Sequence, residues 1–167
     1  NPQLASSITR RGHEIIQQSA AFIEQQGLSV IYGDTDSVFV HLDEEVSETE
    51  ANDIGNQLAD KLNIHWQNEL QQRFNIESNL EIEFETHYLR FLMPTIRGSE
   101  AGSKKRYAGV IRKKDNLEMV FKGLETVRSD WTQLAKIFQQ ELYRRIFHDE
   151  PYADYVREVS EKLNAGE

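Results

Sequence analysis

Apolar positions along the chain follow two rhythms, one helical and one extended. Over residues 5–26, Ile8, Gly12, Ile15, Ile16, Phe22 and Ile23 share one face at a period near 3.6, which predicts a helix capped by Ser6 or Ser7 and stopped by Gly27. Residues 28–32 and 38–42 are short runs rich in β-branched and aromatic side chains on either side of Gly33, the pattern of a hairpin. Ser47 followed three residues later by Glu50 has capping-box spacing. A second helix is expected from there to Phe74, with Ala51, Ile54, Leu58, Leu62, Trp66 and Leu70 turned inward. After a break at 75–79 the period drops to two: Leu80, Ile82 and Phe84 alternate with Glu81, Glu83 and Glu85 in an extended stretch running to Met93. Residues 94–103, with Gly98 and Gly102, read as a loop, and 107–113 with 117–122 as a second hairpin across Lys114-Asp115-Asn116, closed by Gly123. Beyond Asp130 the helical rhythm returns, first through Trp131, Leu134, Ala135, Phe138, Leu142 and Ile146. After Pro151 it continues through Tyr152, Tyr155, Val156, Val159 and Leu163. Helix, two strands, helix, three strands and two helices predict an α+β fold: an antiparallel sheet with two helices packed on one face, then a helical tail with apolar faces of its own.

Composition changes this picture little. A chain of 167 residues can bury a core, and its 38% hydrophobic and 28% charged residues are ordinary for a globular protein. No apolar run approaches the ~20 residues that cross a bilayer, and the start, Asn1-Pro2-Gln3-Leu4, does not resemble a secretory signal. It lacks an initiator Met and enters helical pattern at once, so the chain is expected to be a fragment of a longer protein. The absence of cysteine excludes disulfides and thiolate metal sites and fits an intracellular setting. The net charge of −9 argues against nucleic acid until its distribution is considered. Asp43, Glu44, Glu45, Glu48 and Glu50 crowd one region, whereas Lys104, Lys105, Arg106, Arg112, Lys113 and Lys114 crowd another.

The chemistry concentrates at three places. The first hairpin carries Asp34 and Asp36 at its tip, two apart and so on one side of extended chain. Paired carboxylates repel unless a proton or cation lies between them, which makes the tip either a site for a hard divalent cation or an ordinary turn built from good turn residues. The spacing excludes an EF-hand loop, whose third ligand would fall on Val38. Glu83 and Glu85 are either further ligands or the wet face of a strand, and Gly102-Ser103-Lys104-Lys105-Arg106-Tyr107 is either solvated surface or a phosphate contact. Together, carboxylates for metal and a basic, aromatic stretch for a phosphate backbone are what phosphoryl transfer on nucleic acid requires.

Tyr32-Gly33-Asp34-Thr35-Asp36-Ser37 resembles the third polymerase motif of the family B DNA polymerases, and Lys104-Lys105-Arg106-Tyr107 resembles that family's Lys-Lys-Arg-Tyr motif. The flanks agree: Ala5-Ser6-Ser7-Ile8-Thr9 with Arg11-Gly12 is similar to the helix entering the motif hairpin, and residues 123–131 to the palm-to-thumb junction. The stretch 84–107 is most like bacterial members. The resemblance covers nearly the whole chain, and two motifs in order make it specific. Reverse transcriptases carry adjacent aspartates instead.

The resemblance implies a polymerase palm over 1–125 and the root of a thumb over 126–167. It implies that Asp36 bridges two Mg2+ ions together with an aspartate from elsewhere, that Asp34 is a lesser ligand, and that Glu85 is a palm carboxylate near the metals, with Glu83 the alternative one pleat away. Asp36 and Glu85 are then expected on neighbouring strands, facing one cleft. Lys105 and Tyr107 correspond to residues that hold the primer end, the lysine in the minor groove and the tyrosine at the backbone; Lys104 and Arg106 are weaker correspondences to DNA-binding residues, a structural role being the alternative for the arginine. The implied partners are primer-template DNA, deoxynucleoside triphosphates, the remainder of the polymerase chain and, for the parent enzyme, a sliding clamp; no membrane is implied. The implied location is the bacterial cytoplasm at the nucleoid. No Asp-x-x-Ser-Leu-Tyr-Pro-Ser or Lys-x-x-x-Asn-Ser-x-Tyr-Gly segment occurs in the chain, so the fragment alone is expected to be inert. Two rival readings are a non-catalytic nucleic-acid-binding α+β module, which leaves the aspartate pair unexplained, and a calcium-stabilised structural domain, which leaves the basic run idle.

Overall fold

The computed structural model describes residues 2–33, 36–43, 45–95 and 105–166. The chain forms two compact units, Asn1–His87 and Tyr88–Glu167. Among the described residues no helix is long and apolar enough to cross a membrane. Its elements make the α+β mixture expected, with the strands shared between two small antiparallel sheets.

In the first unit, α1 (Pro2–Gln25) begins earlier than its apolar period suggests. Ser6 and Ser7 therefore lie inside the helix and are not its caps; a proline opens the first turn at no cost because it lacks an amide hydrogen that would go unpaired there. Helix α2 (Glu48–Phe74) starts and stops where the sequence indicates. Ser47 Oγ accepts from the Glu50 amide at 3.3 Å, and the Glu50 carboxylate accepts from the Ser47 amide at 3.0 Å. Asn75 turns left-handed at φ 54 to end it. The inward face holds: Ala51, Ala59, Leu62 and Trp66 are buried, while Ile54, Leu58 and Leu70 are half-buried. The two helices meet where Trp66 Nε1 donates to Ser19 Oγ at 2.9 Å, both residues buried, and where Phe22 stacks on His65 with ring centres 4.6 Å apart.

Between the helices, β1 (Ser29–Gly33) and β2 (Val38–His41) pair antiparallel, from Ser29 opposite His41 to Gly33 opposite Val38. A bulge at Ile31 interrupts the register. Side-chain alternation is shifted there, and Ile31 itself is exposed.

The run 80–85 keeps its period of two, with Leu80, Ile82 and Phe84 half-buried and the three glutamates exposed, yet it joins no ladder. It lies along α2 instead. Asn63 Nδ2 donates to the Ile82 carbonyl at 2.9 Å, and Asn63 Oδ1 accepts from the Ile82 amide at 2.9 Å. A side-chain amide offers the same donor and acceptor as a peptide, so Asn63 serves as one rung of a missing neighbouring strand. The Phe84 ring rests on Gly55, where a Cβ would come within 2.3 Å of it.

In the second unit, β3 (Arg90–Leu92), β4 (Tyr107–Lys113) and β5 (Asn116–Lys122) form a sheet in that order. Lys113 faces Asn116, so the turn is Lys114-Asp115 and Asn116 opens β5. A 3₁₀ turn (Glu125–Val127) follows, then α3 (Gln133–Phe147), capped by Thr132 Oγ1 accepting from the Ala135 amide at 3.3 Å, and α4 (Ala153–Ala165). The core is Ala108, Val110, Leu124, Tyr143 and Phe147.

Tyr143 and Phe147 are absent from the apolar stripe inferred for α3. That helix has two apolar faces about 100° apart. One packs on the core through Tyr143 and Phe147, and the other carries Phe138, which stacks on Tyr155 of α4 with centres 5.6 Å apart. Trp131 and Leu134 are exposed, and Trp131 precedes the helix. Arg144 binds Glu141 at 2.8 Å and Glu150 at 2.6 Å, and Arg145 binds Glu141 at 2.8 Å.

Two outcomes follow from this packing. Replacing Asn63 by Ala strips both backbone groups of Ile82 of their partner and costs about 1–3 kcal/mol; amide hydrogen exchange at Ile82 then loses its protection while that of α2 persists. The second concerns acid. Hydrogen bonds from Arg144, opposed by desolvation and reinforced by Arg145, hold the Glu141 carboxyl down at about 2. A carboxylate lowered on folding contributes stability that is complete above the ordinary glutamate range and lost as pH falls through the folded value. Acid unfolding of the second unit, followed by the NMR signals of the Tyr143 ring, therefore carries a component between the ordinary glutamate range and pH ~2, and Glu141→Gln removes it.

Candidate nucleic-acid and metal site

The candidate metal-binding carboxylates lie in the first unit. Asp36 is exposed in the bend between β1 and β2, and its Oδ1 accepts a hydrogen bond from Ser37 Oγ at 3.3 Å. Asp34 lies outside the described residues, so the same-side relation of the two aspartates is not among the structure's observations. Glu83 and Glu85 are exposed on the run beside α2. Glu85 is thus not on a strand next to β2, contrary to the expectation for it: its run joins no ladder, and at Ile82 the Asn63 side chain takes the hydrogen bonds that a strand pairing would have used. Asp36, Glu83 and Glu85 are exposed, and carboxylate oxygens are the donors that a hard metal takes. No group of three metal-ligating side chains assembles among the described residues. The donor chemistry suits Mg2+, and the number of ligands does not suffice without others.

The basic motif is a separate candidate, in the second unit. Lys104 and the Gly98–Gly102 part of the preceding loop fall outside the described residues. Lys105 is exposed, with φ 62. A non-glycine residue held left-handed costs about 1–2 kcal/mol, so its surroundings must over-determine that conformation. Tyr107 begins β4 opposite Lys122 and is 9% exposed, its ring 6.1 Å from that of Tyr88 and 5.2 Å from that of Phe91. Arg106, between them, turns away from its neighbours and donates through Nη2 to Glu125 Oε1.

Glu125 is the residue that the sequence reading passed over. Its side chain is 15% exposed, and Gln139 Nε2 donates to its second oxygen. Gln139 Oε1 in turn accepts from the Thr126 amide at 2.8 Å and from Thr126 Oγ1 at 2.6 Å. Burial alone would raise the Glu125 carboxyl, but the hydrogen bonds from Gln139, its own backbone and Arg106 prevail and hold it below its ordinary value. Burial and the nearby Glu125 charge push the Tyr143 phenol up. A signal for this cluster exists in the chain: Gln139, Tyr143 and Phe147 recur every four residues, which puts a polar side chain on the apolar stripe of α3. Just beyond, Arg128 grips Asp130 with two bonds, at 2.9 and 2.6 Å.

The model of "DNA polymerase family B" matches residues 2–166. The chain belongs to that family. It is 60% identical to DNA polymerase II of Escherichia coli (strain K12) over 167 residues, all of this chain and 21% of that protein. To a DNA polymerase of Archaeoglobus fulgidus it is 31% identical over 97% of this chain and 18% of that protein. To the DNA polymerase alpha catalytic subunit of Xenopus laevis it is 27% identical over 96% of this chain and 10% of that protein. The chain thus spans about a fifth or less of the curated relatives it matches. As a family B segment, it carries the aspartate hairpin and the basic motif on separate compact units, each supported by its own helices.

Proposed function

We propose that this chain is the part of a bacterial DNA-directed DNA polymerase that contributes one carboxylate hairpin to the nucleotidyl-transfer centre and grips the primer end. The observation that carries the reading is the 60% identity over the full chain to a DNA polymerase II, combined with an exposed Asp36 at the hairpin bend. In this reading residues 1–125 are palm and 126–167 begin the thumb. Asp36, with Asp34 and Glu85 as lesser contributors, helps hold Mg2+ together with an aspartate supplied by the rest of the polymerase chain. When bound, the metal activates the primer hydroxyl and offsets charge on the departing pyrophosphate.

This chain's own residues do the positioning. The Asp36 carboxylate supplies negative charge where hard cations are needed and repels phosphate where they are absent. Lys105 presents its ammonium from an exposed turn; set against minor-groove acceptors, which are nearly degenerate among base pairs, it tests pair shape without reading sequence. Tyr107 anchors that turn to β4, and Lys104 and Arg106 flank it. With an incomplete ligand set, the segment alone does not incorporate nucleotides. Its substrates are primer-template DNA and deoxynucleoside triphosphates.

The two roles separate experimentally in the full polymerase. Asp36→Asn lowers single-turnover incorporation on the order of 10²–10³-fold, the scale of losing one preorganised charge contact, while affinity for primer-template changes little or rises. Lys105→Ala weakens primer binding and extension with Mg2+ dependence nearly unchanged. A phosphate contact would also reduce the salt slope of binding by about 0.9, whereas a base-edge contact leaves it. Equal loss of DNA binding in both variants, with equal residual turnover, overturns the division of labour.

A further inference from the structure

Residues 123–125 make three different contacts in three consecutive positions, and all of them bear on the basic motif. Gly123, at φ +62, lies so close to the Lys105 backbone that a Cβ would come within 2.1 Å of the Lys105 carbonyl oxygen. Leu124 is 1% exposed and packs into the core with Ala108, Tyr143 and Phe147. Glu125 takes the Arg106 guanidinium. The peptide unit joining Lys105 to Arg106 is therefore held on its backbone by Gly123 and on its side chain by Glu125, with Leu124 fixing both in place. Glu125 is itself fixed by Gln139 of α3, whose amide oxygen is saturated by Thr126. The Arg106 Nε is buried without a partner among the described residues, and among them Glu125 is the acid that meets its half-exposed guanidinium.

This arrangement answers why Lys105 persists in a left-handed conformation that costs about 1–2 kcal/mol. The turn is clamped from outside. We propose that Glu125, oriented by Gln139, is a positioning residue for the primer end: through Arg106 it holds the Lys105 turn and the start of β4, and so sets where Lys105 and Tyr107 meet the primer. The proposal rests on the primer-gripping reading of these two residues. It also ties their placement to the first turns of the helical segment that follows, because Gln139 belongs to α3.

The test is a double-mutant cycle in the full-length polymerase, read as single-turnover extension of a matched primer and as primer-template affinity. Glu125→Gln keeps the shape and removes the charge. It is expected to weaken extension by about tenfold to a hundredfold, the scale of a lost charge-assisted hydrogen bond. Combined with Lys105→Ala, it should add little to the loss that Lys105→Ala causes alone, because both remove the same placed contact. A purely structural Glu125 would instead give losses that multiply and that track the fall in melting temperature. Should Glu125→Gln fail to fold, Gln139→Met loosens the same carboxylate while leaving the Arg106 pair in place, and the same cycle applies with a smaller loss. Extension unchanged by either variant, or multiplying losses, overturns the proposal and leaves the primer-gripping reading standing. No effect of Lys105→Ala by itself overturns that reading, and the proposal with it.

Discussion

The second unit depends on the burial of Leu124. A leucine brought to 1% exposure removes nearly all of its side chain from water, worth about 1.5–3 kcal/mol. Its larger effect is geometric, since the residues on either side cannot move without pulling it out. Gly123 and Glu125 inherit that rigidity, one meeting the Lys105 backbone and the other the Arg106 side chain. The strained Lys105 turn is then secured by an apolar contact far away in sequence. Polar groups alone would do this less well, because a half-exposed ion pair exchanges easily with water.

The first unit is built on a different principle. Its two long helices touch through Trp66, whose indole hydrogen bond to Ser19 is satisfied inside the core. A buried donor without that acceptor would cost about 1–3 kcal/mol, so the pairing fixes how α1 and α2 register against each other. The β1–β2 hairpin packs against α1, and its bend carries Asp36 into solvent. Asp36, Glu83 and Glu85 of this unit are exposed, whereas Glu14 and Glu69 meet arginines, and Glu50, Glu125, Asp130 and Glu141 have their charges met by hydrogen bonds that lower them. The contrast distinguishes acids that hold the fold from acids available to something else.

Much of this was legible in the chain. The α2 boundaries, the Ser47–Glu50 cap, both hairpins and the α+β order follow from periods of 3.6 and two and from residues that satisfy backbone groups locally. The site residues were legible only through two motifs. Arg106, a weaker correspondence at the DNA with a structural role as its alternative, meets Glu125. Glu125 and Gln139 were not found, because they are ordinary residue types whose meeting is decided by α3 folding back on β4 and β5. Tyr143 and Phe147 were missed for a related reason: α3 has apolar residues on two faces, and periodicity cannot say which face the sheet will take.

By itself the sequence determined what near neighbours decide: where helices start and stop, which runs are extended, where turns fall, and that carboxylates and cations are segregated along the chain. Those outcomes depend on backbone hydrogen bonds and side-chain spacing within a few residues. Tertiary structure alone decided that the alternating run 80–85 would lie on α2 and not in a sheet, since Asn63 offers Ile82 the donor and acceptor that a strand would have offered. It also decided that a left-handed lysine would stand beside a glycine far along the chain, and that a glutamate would find its arginine across a separation of 19 residues. Such encounters join residues far apart in the chain, and their free energy exists only once the core has brought them together.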